Sequence, residues 1–150
     1  MRVVLGVLAI GAALTTAACG GASSSIPSTV TVTASATQST KESGQQEYPS
    51  VQALAIDLTK YGHRCVVTPR GPAQNATESG ECWIDGKEAI LTIYPNQAGV
   101  DQYLEMIHGI MDLGSDPYGW LVGNKWIINC GNREFCETLA ASLGGTVDAR

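Results

Sequence analysis

The stretch Glu81-Cys82-Trp83-Ile84-Asp85-Gly86-Lys87-Glu88-Ala89-Ile90-Leu91-Thr92-Ile93-Tyr94 decides the fold. Asp85-Gly86 is a dipeptide that accepts the positive φ angles of a tight hairpin turn. Residues 81–84 and 88–94 are therefore expected to pair as antiparallel strands. Downstream, Pro95 and Asn96 end the second strand, and Asn96 can cap a helix whose buried stripe is Val100, Leu104, Ile107 and Met111, stopping at Gly114. Upstream, Gly71, Pro72 and Asn75 make residues 70–80 a polar loop, and residues 63–68 read as a strand ended by Pro69. Before that, Ser50 can cap a helix in which Val51, Leu54, Ala55, Leu58 and Tyr61 recur at helical spacing and Gly62 supplies the stop.

A second hairpin signal, Gly123-Asn124, lies between strands expected at 120–122 and 125–130. Asn132 can cap a last helix carrying Phe135, Leu139, Ala140 and Leu143 on one face, ended by Gly144-Gly145. The resulting order, α-β-β-β-α-β-β-α, predicts an α+β fold: an antiparallel sheet of about five strands with helices packed mainly on one face. Residues 48–150 form this domain. About 100 residues suffice for one core, yet so few that cross-links matter to stability.

Five cysteines occur, four of them in the domain: Cys65, Cys82, Cys130 and Cys136. An even set in an oxidising compartment reads as two disulfides, and three connectivities are possible. Cys65–Cys82 with Cys130–Cys136 is favoured because each pair flanks a local connection. A metal site is the competing reading, but there is no CxxC, and His63 and His108 lack zinc-ligand spacing. Neither metal nor cofactor is expected.

The fifth cysteine, Cys19, follows an uncharged run over residues 3–18 that is preceded by Arg2. That run is shorter than the ~20 residues a membrane span needs, and it has the build of a secretory signal. Ala17-Ala18-Cys19-Gly20 resembles the lipobox of bacterial lipoproteins. The resemblance implies diacylglycerol transfer to the Cys19 sulfur and cleavage of residues 1–18. It also implies an anchor in the outer leaflet of the cytoplasmic membrane, so the partner named by this segment is the lipid bilayer. Residues 19–47, rich in Ser, Thr, Ala and Gln, have too little apolar area to offset ordering and read as a tether.

Nine basic side chains stand against fourteen acidic ones, a formal charge of −5; loss of Arg2 with the signal leaves −6. Lys60, Arg64, Arg70, Lys87, Lys125 and Arg133 are scattered among carboxylates, which argues against nucleic acid and against anionic headgroups. GxSxG, HExxH, P-loop and GxGxxG motifs are all absent from the sequence. Ser115 reads as turn chemistry, and Asp112 and Asp116 as solvated carboxylates without an EF-hand ladder. His108, beside an apolar stripe, reads as a boundary residue. No catalytic residue is assigned, and the chain is read as a non-enzyme.

Asp116-Pro117-Tyr118-Gly119-Trp120 is the segment expected to touch a partner, with Tyr118 and Trp120 as anchors. For Trp120 the favoured reading is that it starts a strand and covers the sheet edge or core. Trp83 and Trp126, each inside an expected strand, read as core or sheet-face residues.

Gly123-Asn124-Lys125-Trp126-Ile127-Ile128, Cys130, Cys136 and Leu143-Gly144-Gly145 together resemble small lipoproteins of actinobacteria and of their phages or prophages. The resemblance carries no catalytic residue, and an anchored, acidic, disulfide-stapled domain is read as a membrane-anchored, extracytoplasmic, non-catalytic interaction module of the cell envelope, bound to an envelope or phage protein or to a glycan. The phage side of the resemblance implies an alternative, a superinfection-exclusion lipoprotein that blocks DNA entry. An envelope enzyme of unrecognised type is the other alternative.

Overall fold

A computed structural model describes residues 43–150, so the signal segment, Cys19 and most of the expected tether lie outside the described residues. Three helices and six strands follow one another: α1 (Val51–Lys60), β1 (Thr68–Arg70), β2 (Glu78–Ile84), β3 (Lys87–Ile93), α2 (Gln97–Met111), β4 (Gly119–Gly123), β5 (Trp126–Asn129), α3 (Arg133–Leu143) and β6 (Thr146–Ala149). The strands form one antiparallel sheet in the order β1-β2-β3-β5-β4-β6. The fold is α+β, with two disulfides, Cys65–Cys82 and Cys130–Cys136, in the favoured connectivity.

Each helix starts where a side-chain oxygen can take an orphan amide. Ser50 Oγ accepts from Ala53 N–H at 3.1 Å, Asn96 Oδ1 from Gly99 N–H at 2.9 Å, and Asn132 Oδ1 from Phe135 N–H at 3.0 Å. Asp85 and Gly86 turn the β2–β3 hairpin at φ 51° and 78°, with Ile84 opposite Lys87. The second hairpin is displaced by one residue from the expected place. Gly123 pairs with Trp126, so the turn is Asn124-Lys125, with Lys125 at φ 65°. Gly123 serves the strand instead, because a Cβ there would overlap the indole of Trp126.

Two further differences lie at the sheet edges. The first strand is Thr68–Arg70, not 63–68, and it contains Pro69. Proline lacks a donor but is tolerated on an edge strand, where one side of the backbone faces no partner. Residues 78–80, expected in the loop, extend β2, and Ser79 and Gly80 pair with β1. A sixth strand, Thr146–Ala149, follows the Gly144-Gly145 stop and pairs with β4.

Side chains alternate across the sheet. Cys82, Ile84, Ala89, Leu91, Ile93, Leu121, Trp126 and Ile128 face α1 and α3 and form the main core. Tyr94, Trp120 and Ile127 face the other way, and with Val100 they make a smaller core under α2. Two helices thus share one face, and the third lies on the opposite one.

The domain begins earlier than composition indicates. Trp126 Nε1 donates to the Gln46 carbonyl at 2.9 Å, Asn124 N–H donates to the Gly44 carbonyl at 2.9 Å, and Lys125 Nζ meets Glu47 Oε2 at 2.7 Å. Residues 44–47, read as the end of the tether, are packed on the β4–β5 turn.

Candidate functional site

Alternation on β2 sends Cys82 and Ile84 into the main core, so Trp83 between them must point to the opposite face. That face is covered by α2 only at its β4–β5 side, where Tyr103, Leu104, Ile107 and Met111 pack over Trp120, Ile127 and Val122. Toward β1 the face is open. Trp83 is 64 % exposed and Val66 70 %. An indole left in water is the informative exception among apolar residues, since isolated exposed aliphatics need no explanation.

The ladder register fixes what surrounds it. Trp83 stands opposite Glu88, Glu81 opposite Ile90, and Ser79 opposite Thr92; Arg70 of β1 is opposite Ser79, and Asn129 of β5 opposite Ile90. Arg64, Val66, Trp83 and Asp85 line a shallow depression of about 420 Å³. Farther along the same face, Arg70, Ser79, Ile90, Thr92 and Asn129 line a cavity of about 210 Å³ that closes against Tyr103 of α2.

Polar groups along this strip divide into fixed and free. Arg70 Nη1 lies 2.9 Å from Glu81 Oε2 and 3.5 Å from Glu88 Oε1. The buried hydroxyls of Ser79 and Thr92 are 3.4 Å apart, and Ser79 Oγ accepts from Ala73 N–H at 3.1 Å. Burial raises the Tyr103 phenol above its ordinary range, so at neutral pH it is a neutral hydroxyl able to donate. Arg64 and Asp85 are exposed and take part in no ion pair among the described residues.

Comparison with protein-family models, with curated proteins and with solved structures finds no match.

Of the two aromatics expected to anchor a partner, Trp120 is only 3 % exposed. It takes the sheet-covering position, under α2, and is not available as an anchor. Tyr118 is half-buried, stacked on Trp120 with ring centroids 4.6 Å apart, and Arg150 lies 5.2 Å from its ring centroid. The Arg150 Nη2 also donates to the carbonyls of Met111 and Gly114 at 2.7 and 2.8 Å, so this cluster fastens the end of α2 to the chain terminus. The exposed aromatic is Trp83, and the strand alternation between Cys82 and Ile84 carried the signal for it.

His108 is a boundary residue, as expected, with Nε2 2.7 Å from Asp148 Oδ2. His63 Nε2 lies 3.0 Å from Ser142 Oγ, a pair that spacing did not reveal. Among the described residues no carboxylate orients the His63 ring, so the pair lacks the third member of a nucleophilic triad. All four domain cysteines are disulfide-bonded, with Cα atoms 5.3 and 5.4 Å apart. No cluster of three or more His, Cys, Asp or Glu that could hold a metal exists among the described residues, and no described helix is long and apolar enough to cross a membrane.

Proposed function

We propose that this chain is a lipid-anchored, extracytoplasmic interaction module of the cell envelope, held at the membrane through Cys19 and presenting the open sheet face around Trp83 to a binding partner. The observation that supports the binding role most directly is the 64 % exposed indole on a strand whose neighbours Cys82 and Ile84 are buried. Removing a tryptophan from water stabilises a complex strongly, and binding hot spots are enriched in Trp. The anchor rests on the apolar run over residues 3–18 and the Ala17-Ala18-Cys19-Gly20 sequence. A non-catalytic role accords with a strip whose ion pairs hold one another, with no nucleophile and base placed together on it.

The test is cross-linking in the native host with the full-length chain, followed by mass spectrometry of captured molecules. Enrichment of an envelope component that is lost on Cys19→Ala and reduced on Trp83→Ala is the expected result. Membrane partitioning of Cys19→Ala indistinguishable from the unaltered protein would remove the anchor, and capture insensitive to Trp83→Ala would remove the surface.

A further inference from the structure

The open strip has a chemistry that selects among partners, and this step rests on the binding role given to Trp83 above. Aromatic rings stand at both ends, Trp83 in the depression and Tyr103 in the cavity wall, with Arg70, Glu81, Glu88 and Asn129 between them. From Trp83 to Ser79 along β2 is four residue steps, or about 13 Å.

A protein partner fits this surface poorly. Protein interfaces need roughly 800 Å² per partner around an apolar core depleted of charge. Here the apolar spots, Trp83 with Val66 and then Ile90, are separated by the Arg70 guanidinium and its two carboxylates. One indole contributes at most about 250 Å². Strand addition at the neighbouring edge is hindered as well, because β1 is three residues long and contains Pro69.

A sugar chain matches the same features. The C–H face of a pyranose ring stacks on an indole, and its hydroxyls both donate and accept. Arg64 and Asp85 beside Trp83 offer a free donor set and a free acceptor set. Asn129 and the neutral Tyr103 hydroxyl supply further groups where the strip meets α2. The carboxylates of half-buried Glu81 and of exposed Asp85 and Glu88, on a chain of formal charge −5, disfavour an anionic polymer. We infer that the open face from Trp83 to Tyr103 is a binding site for a neutral oligosaccharide, with Trp83 as the stacking platform.

The experiment titrates the full-length lipoprotein in detergent with N-acetylchitotetraose, maltotetraose and cellotetraose, following tryptophan emission. Trp120 and Trp126 are buried and Trp83 is exposed, so occupation of the strip reports as a blue shift from Trp83. The expected result is a saturable shift with at least one tetrasaccharide. In a parallel binding measurement by calorimetry, Trp83→Ala weakens that saccharide about tenfold or more, while Trp83→Phe retains part of the affinity and Ile56→Ala all of it. No response to any of the three, or equal affinity in Trp83→Ala, overturns the inference. Capture of a protein through Trp83 in the host cross-linking would also overturn it while leaving the interaction module intact, and membrane partitioning of Cys19→Ala reports on the anchor independently.

Discussion

The indole N–H of Trp126 donates to the backbone carbonyl of Gln46 across eighty residues of sequence, at 2.9 Å. Trp126 is fully buried, and leaving a buried indole N–H without an acceptor costs free energy. Residues 44–47 supply it, which makes them part of the domain.

Gly44 is where this attachment is most sensitive. Its φ is +78°, and a Cβ would overlap the backbone of Gly145. Gly44→Ala is expected to lower stability by about 1–3 kcal/mol in urea unfolding, combining left-handed strain with the clash. An unchanged midpoint would mean that residues 44–47 do not hold to the domain.

Trp83 and Trp126, each beside a hairpin turn, play opposite parts. Trp83→Ala is expected to move stability by no more than ~0.5 kcal/mol, because the side chain is mostly in water. Trp126→Ala should lose about 3–5 kcal/mol through the cavity left in the main core. Thermal or urea denaturation of the two variants checks the contrast.

Asp57 sets an acid limit on the fold. Burial pushes its carboxyl up, but hydrogen bonds from Lys60 Nζ at 2.8 Å and Tyr48 Oη at 2.7 Å outweigh that and hold it below the ordinary value of 3.8. A carboxyl depressed in the folded state contributes stability that is present above its unfolded value and is lost as pH falls through the folded one. Stability should therefore decline with acidification below about pH 4, and Asp57→Asn should flatten that part of the profile. Equal slopes for the two proteins would remove Asp57 from the account.

The two disulfides close loops of unequal length, with sequence separations of 17 and 6. Replacing Cys65 and Cys82 together by alanine should lower stability by about 3 kcal/mol, and replacing Cys130 and Cys136 by about 2, on the chain-entropy account. A thiol titration of denatured, unreduced protein should find none of the four domain cysteines free.

The elements were legible where one residue decides them. Ser50, Asn96 and Asn132 announce helix starts because orphan amides need a side-chain acceptor, and Asp85-Gly86 announces a turn because few residues accept its backbone angles. The edge strands were not. Thr146–Ala149 is four residues with one β-branched aliphatic side chain, Val147, and pairing with β4 forms it where propensity does not. Pro69 marks a strand end by local rules, but the β1 edge tolerates it. For the candidate site, alternation places Trp83 opposite the main core. That α2 stops short of it depends on helix placement, which no local pattern states. Trp120 takes the sheet-covering place that its position at the start of a strand favours, and α2 is the helix that buries it.

Partner binding is proposed to occur through the open sheet face. It is tested most directly by placing a photoreactive benzophenone side chain at position 83, and separately at the exposed positions Ile56 on α1 and Ile110 on α2, in the full-length chain in its own membrane. Benzophenone inserts into C–H bonds of proteins and sugars alike. A discrete adduct is expected from position 83 and none from 56 or 110; adducts from 56 or 110 with none from 83 would place binding elsewhere and overturn the proposed face.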